Sequence, residues 1–221
     1  MPSSIHFYQD QILSDGKGLL SATNRIVYCR HGRVTINGTT ISAGDAIAVI
    51  GDMDVAGEEE WSHLYRWECD LPNADATLLN GSNTLSLHRM SRVISMLDMA
   101  AGTQWLFRLD QITAPAGRVT DPHKHPGPGI RCMVEGTFNV NQDLESYRAV
   151  NPGDPWWECG EQPVIAWGSK TMHARFLRGM VLPTEVMGQT DTIKNKAGKP
   201  NKKRGQHKLL VDHVFTAAES D

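Results

Sequence analysis

The sequence predicts an all-β protein made of two similar β-domains in tandem. Short runs rich in apolar and β-branched residues recur at regular spacing, separated by glycine-containing turns. The same ordered set of segments occurs twice at a near-constant offset. A His-x-His pair wrapped in Gly and Pro, His123 and His125, appears in the second copy only.

Residues 5–13 read as an entering strand with a polar face, and Asp15-Gly16-Lys17-Gly18 as a turn. Residues 25–32 form an apolar run ending at Gly32. Residues 33–38 alternate polar and apolar, as a half-buried strand does, and Asn37-Gly38 is a strong hairpin signal. Gly44-Asp45 leads into an apolar strand at 46–50, and residues 62–72 close the half at Leu71-Pro72. The second half repeats this order. Asp110-Gln111-Ile112 echoes Asp10-Gln11-Ile12, and the run 130–136 echoes 26–32 with its final glycine. Gly153-Asp154 echoes Gly44-Asp45, and residues 173–183 echo 62–72, ending in Leu182-Pro183.

Between the halves, Leu87, Met90, Val93, Ile94 and Leu97 fit one helical face, with Ser82 or Asn83 as caps and Gly102 beyond the end. A short linker helix is expected there, although Leu85 and Leu87 would also fit a strand. The expected division is 1–80 for the first barrel, 81–104 for the linker and 105–185 for the second barrel. Residues 186–221 follow, with a basic solvated loop at 194–208 and an apolar segment at 209–215 packing back on a barrel.

Of 221 residues, 40% are hydrophobic and 21% charged, as in a globular soluble protein. A net charge of -3 gives no reason to invoke nucleic acid. No run approaches a membrane span, and the N-terminus shows no basic region followed by an apolar core, so a cytoplasmic location is expected. Cys29, Cys69, Cys132 and Cys159 stand apart and read as reduced thiols, mostly buried.

The stretch 117–136 organises the second half. On a strand, residues i and i+2 share a face, so His123 and His125 would converge as metal ligands do. The stretch resembles the first motif of the cupin superfamily, Gly-x5-His-x-His-x3,4-Glu-x6-Gly, through Gly117, His123, His125 and Gly136. The motif's glutamate falls on Gly129, and the histidine of the second motif, after Gly153-Asp154-Pro155, would fall near Val164. The resemblance implies a tandem cupin, a bicupin of two double-stranded β-helix or jelly-roll barrels. It also implies a range of activities: dioxygenases, isomerases, decarboxylases, epimerases and non-enzymatic binding modules.

Two of the four usual metal ligands are therefore present. Glu158, on the strand after the Gly-Asp turn, is the first choice for a third, and His173 the second. Residues 129, 131 and 133 share a face. If that face is the glutamate's, Arg131 points inward and needs Glu158, Glu135 or a substrate carboxylate as partner. Trp156 and Trp157 alternate faces, so one lines the pocket, and Trp157 is taken as that wall.

The leading reading is a metal-dependent oxygenase acting on a small carboxylated or aromatic compound. His123, His125 and Glu158 would hold Fe(II), with Mn, Ni or Zn as other choices, and Arg131 would orient a substrate carboxylate. The alternatives are a metal-free binding or sensing bicupin, and a metal-independent isomerase or epimerase using His123 as acid and base. The first half has Arg25 in the place of Gly129, and its His31 and His63 read as surface or hydrogen-bonded histidines. It is expected to be structural, without a polar cluster of the His123–His125 kind, or to serve as the contact of a homodimer.

Overall fold

Alternating runs and tight glycine turns fold each half into antiparallel strands. The computed structural model describes residues 3–69, 78–94, 99–141, 147–189 and 205–217. The chain divides into two units, one of residues 1–103 with 215–221, the other of residues 104–214.

The first unit contains β1 (Ser4–His31), β2 (Arg33–Ile36), β3 (Thr39–Ser42), β4 (Ala46–Gly57), β5 (Trp61–Cys69) and β6 (Asn80–Val93). Strand β1 has two arms. Residues 5–13 and 24–31 both pair with β5, so β5 lies between them. The expected turn at Asp15 to Gly18 is instead a bend inside β1. Asp15 takes φ 63°, but Lys17 stays in the ladder, opposite both Ala56 and Ser82. Asn37 and Gly38, at φ 45° and 78°, make the expected two-residue hairpin between β2 and β3. The interior holds Ile12, Val27, Cys29, Val34, Ile36, Val55 and Leu64. Burial pushes the Cys29 thiol up to about 11, consistent with a packing role.

The expected linker helix is not formed among the described residues. Residues 80–93 are instead β6, antiparallel to the first arm of β1, with Leu85 opposite Gln11 and Leu87 opposite Gln9. Pairing with the open edge of β1 outweighs the local helical spacing, and Leu85, Leu87 and Val93 project to solvent from this edge strand. Leu97 lies outside the described residues.

The second unit contains β7 (Gln104–Ala114), β8 (Gly129–Glu135), β9 (Phe138–Asn141), β10 (Tyr147–Val150), β11 (Pro155–Glu158), β12 (Ile165–Gly168), β13 (Ala174–Pro183) and β14 (Gln206–Thr216). One sheet runs β11-β8-β13-β7-β14 and the other β10-β9-β12. Met133, Phe138, Val140, Val150, Trp156, Val164 and Ala166 pack as its core. The apolar segment 209–215 returns as part of β14 beside β7. Most of the basic stretch, residues 194–204, lies outside the described residues.

The internal repeat is visible bond by bond. In the first unit Cys29 N–H donates to the Asp45 carbonyl and Gly44 N–H to the Cys29 carbonyl, both at 2.9 Å. In the second, Met133 N–H donates to the Asp154 carbonyl at 3.1 Å and Gly153 N–H to the Met133 carbonyl at 2.9 Å. Asp45 and Asp154 each accept from the backbone three residues earlier, Ser42 N–H at 3.0 Å and Asn151 N–H at 2.9 Å. Gly32 and Gly136 end the two equivalent strands at φ 77° and 75°, where a β-carbon would be strained.

Candidate functional site

The paired histidines sit in the segment leading into β8. His123 forms an isolated antiparallel bridge with Val164, through bonds of 3.1 and 2.8 Å. Opposed residues share a face, so its ring lies on the side of Val164, a core residue. His125 is not in a strand; its N–H donates to the Gly160 carbonyl at 3.1 Å. The two rings are nevertheless close, 5.0 Å between centroids and nearly perpendicular.

His123 Nδ1 lies 2.9 Å from the Asp121 carbonyl oxygen. A carbonyl only accepts, so the proton resides on Nδ1 and Nε2 carries the lone pair. Burial, then the neighbouring His125, hold the His123 pKa below its ordinary value, so the ring is neutral at pH 7.

Glu158 closes β11 opposite Gly129 and is almost fully buried. Its Oε2 lies 2.9 Å from Arg131 Nη2 and 3.1 Å from His125 Nε2, and its Oε1 accepts from Trp156 Nε1–H at 2.8 Å. Arg131 is fully buried and also donates to the Gly129 and Glu158 carbonyls. Burial alone would raise the Glu158 carboxyl. The Arg131 charge, with the bonds from His125 and Trp156, outweighs it and holds the carboxyl well below the usual carboxylate range.

His123, His125, Arg131 and Glu158 therefore come together, and Trp157 does not. Trp156 stands opposite Arg131 and shares its face, whereas Trp157 stands opposite Ile130 on the other face. The aromatic wall of the site is Trp156, which corrects the choice of Trp157. His173 and Glu135 pair with each other at 2.9 Å, both about half exposed, so neither acts as third ligand nor as partner of Arg131. His31 stacks on Trp61 at 4.3 Å, and His63 meets Tyr65 edge-on at 5.1 Å.

The residues present do not fit a metal centre. Among the described residues, no group of three or more His, Cys, Asp or Glu is placed to hold an ion. The physical reason lies at Glu158: the Arg131 guanidinium already supplies the positive charge that a metal would bring, and an added ion would meet it there. The motif's glutamate position is closed as well. A β-carbon on Gly129 would stand 2.3 Å from the Gly179 carbonyl oxygen and 2.8 Å from Met180 Cα. Gly129→Ala is expected to cost about 1–3 kcal/mol in urea denaturation, as overpacking does. No added metal binding should accompany it.

The first unit holds a more deeply buried polar cluster, built of arginines and carboxylates and not of the paired histidines of the second unit. Asp10, Arg25, Arg66 and Glu68 are all fully buried. Arg66 grips Asp10 with two bonds, Nε to Oδ2 at 2.7 Å and Nη2 to Oδ1 at 3.2 Å, and also bonds Glu68 Oε1. Arg25 Nε reaches the same Glu68 Oε1 at 3.0 Å, and the Arg66 guanidinium lies 4.0 Å over the Tyr8 ring. Burial would lower the Arg66 pKa, but Asp10 and Glu68 raise it further, so the charge is held. The second unit keeps a related pair, Arg178 to Asp110 by bonds of 2.7 and 2.6 Å, with His207 Nε2 also 2.7 Å from Asp110. Arg108 grips Asp212 with bonds of 2.6 and 2.7 Å, tying β7 to β14. The only signals in the sequence were the matched Asp10 and Asp110 and the arginines inside apolar strands.

No protein-family model and no curated protein matches the sequence. Solved structures do. Procruciferin, an 11S globulin from Brassica napus, matches with a TM-score of 0.59 and 9% identity over 93% of this chain and 79% of that one. The oxalate decarboxylase formate complex from Lactobacillus farciminis matches with a TM-score of 0.58 and 11% identity over 80% and 77%. AerE from Microcystis aeruginosa matches with a TM-score of 0.56 and 11% identity over 79% and 87%. At such identities the likeness concerns the fold. The chain has the cupin fold, as jelly-roll barrels in tandem.

Proposed function

We propose that this is a metal-independent cupin that binds a small organic ligand in its second unit, at His123. The observation that carries this reading is the commitment of Glu158 to Arg131, Trp156 and His125 beside a neutral His123 with an available Nε2 lone pair. A ligand offering an O–H or N–H donor, such as a small hydroxy or carboxylic acid, suits that nitrogen. Arg131 fixes Glu158 in this reading and does not reach for substrate. An Fe(II) oxygenase, or a Mn, Ni or Zn centre, needs a third donor that Glu158 is not free to be.

The fixed His123 tautomer favours one further reading, proton abstraction from a weak carbon acid. Nε2 would take the proton, and the imidazolium formed would be stabilised by the nearby Glu158 charge. The protein is a binding module if His123 only accepts a hydrogen bond, and an isomerase if it accepts the proton and returns it to the substrate at another carbon or on the opposite face.

Calorimetry with small hydroxy and carboxylic acids is expected to show saturable binding that weakens at least about tenfold in His123→Ala, the loss of a hydrogen bond to a charged or polar group. After incubation with Fe(II), Mn(II), Ni(II) and Zn(II) and desalting, metal content should be far below one ion per chain, and equal in wild type and Glu158→Gln. One tightly held ion that disappears in Glu158→Gln would restore the oxygenase reading and defeat this one.

A further inference from the structure

The interior of the first unit presents polar atoms that no group among the described residues satisfies. His6 stands directly opposite Glu68 across β1 and β5, and Glu68 in turn stands opposite Arg25 on the second arm of β1. His6 is 5% exposed and Glu68 0%. Among the described residues, both ring nitrogens of His6 and Oε2 of Glu68 are buried without a hydrogen-bond partner. Buried polar groups of folded proteins are overwhelmingly partnered, so three such atoms on neighbouring residues mark a place for a guest.

The surroundings define its chemistry. Tyr8 and His88 are opposed across β1 and β6, with ring centroids 5.0 Å apart, and the His6 ring lies 5.6 Å from His88 and 6.2 Å from Tyr8. His88 is exposed and gives the cluster an open side along β6. Two guanidiniums, Arg25 and Arg66, face two carboxylates, Asp10 and Glu68, so a charged guest would add an uncompensated charge. Burial, then His88, hold the His6 pKa low, so its ring is neutral and offers one donor and one acceptor. Glu68 Oε2 offers a second acceptor. A hydroxyl both donates and accepts, so adjacent hydroxyls meet these three atoms in either tautomer of His6.

We propose that the first unit carries a binding site for a small uncharged polyol, held by His6 and Glu68 and walled by Tyr8 and His88. The site is separate from His123 and does not depend on the reading given for the second unit.

Calorimetry on the full chain would use glycerol, erythritol and xylose, with acetate and ethylammonium as charged comparators. Saturable binding of at least one polyol is expected, weakened tenfold or more in His6→Phe and in Glu68→Gln, and unchanged in the exposed His173→Ala. Binding that is equal in His6→Phe and wild type, or that is as strong for the charged comparators, would overturn the proposal. Should those variants fail to fold, nitrogen NMR of wild type decides. The His6 ring resonances should move on adding the polyol and not on adding acetate; unmoved resonances would mean that water alone fills the place, and the proposal would fall.

Discussion

Arg66→Met is expected to destabilise the protein by about 3–5 kcal/mol, because it leaves two buried carboxylates facing a single guanidinium. Asp10 would lose both of its bonds to Arg66, and Glu68 would keep only Arg25. Methionine has a similar reach, so the loss reports charge more than volume. Adding Asp10→Leu to Arg66→Met should recover part of the stability, since an apolar pair removes the stranded charge that a single change creates. Urea denaturation of the three proteins reads this directly. A single variant within about 1 kcal/mol of wild type, the range of a surface ion pair, would show that the cluster is solvated and not the buried network described.

Arg131→Met is expected to cost a similar amount at pH 7 and to change the pH dependence of stability. In wild type the Glu158 carboxyl is held below its ordinary value, so its contribution is present above the unfolded pKa of about 4.3 and is lost only as pH falls through the lower folded value. Without Arg131, burial acts against the charged form with only His125 and Trp156 opposing it, and the folded pKa rises. The variant therefore suffers most at neutral pH, and its deficit relative to wild type should shrink as pH falls toward 4 and Glu158 takes up a proton. Unfolding free energies at pH 7 and pH 4 test the sign. A deficit that is constant or larger at pH 4 would mean that Arg131 does not set the ionisation of Glu158.

What was legible in the sequence was local. Gly44-Asp45 and Gly153-Asp154 announce the repeat because the glycine's backbone and the aspartate's side chain make the same turn within a few residues. Asn37-Gly38 works the same way. Glu158 was reachable because it follows such a turn at a fixed distance. Trp157 was misplaced by one residue, and on a strand one residue exchanges the two faces. Between 81 and 102, Leu87, Met90, Val93, Ile94 and Leu97 fit a helical period while Leu85 and Leu87 also fit a strand, and only the free edge of β1 settles the choice for 80–93. The grip of Arg66 on Asp10 joins residues far apart in the chain, and no spacing rule connects them. The closure of Gly129 by Gly179 is equally non-local, although it decides whether the motif's glutamate could exist.

The position of β5 between two arms of one strand also bears on how fast this protein assembles. Ile5 pairs with Cys69 at one edge of β5 while Asn24 pairs with the same Cys69 at the other. Neither arm can complete its ladder until a long stretch of chain has closed, and the entropy of that closure is spent before the pairing returns anything. Refolding of the first unit should thus fall in the slow regime of β-topologies, milliseconds to seconds. During that delay β1 carries unpaired edges on both sides, and nascent chains at high concentration have their best opportunity to pair with one another there.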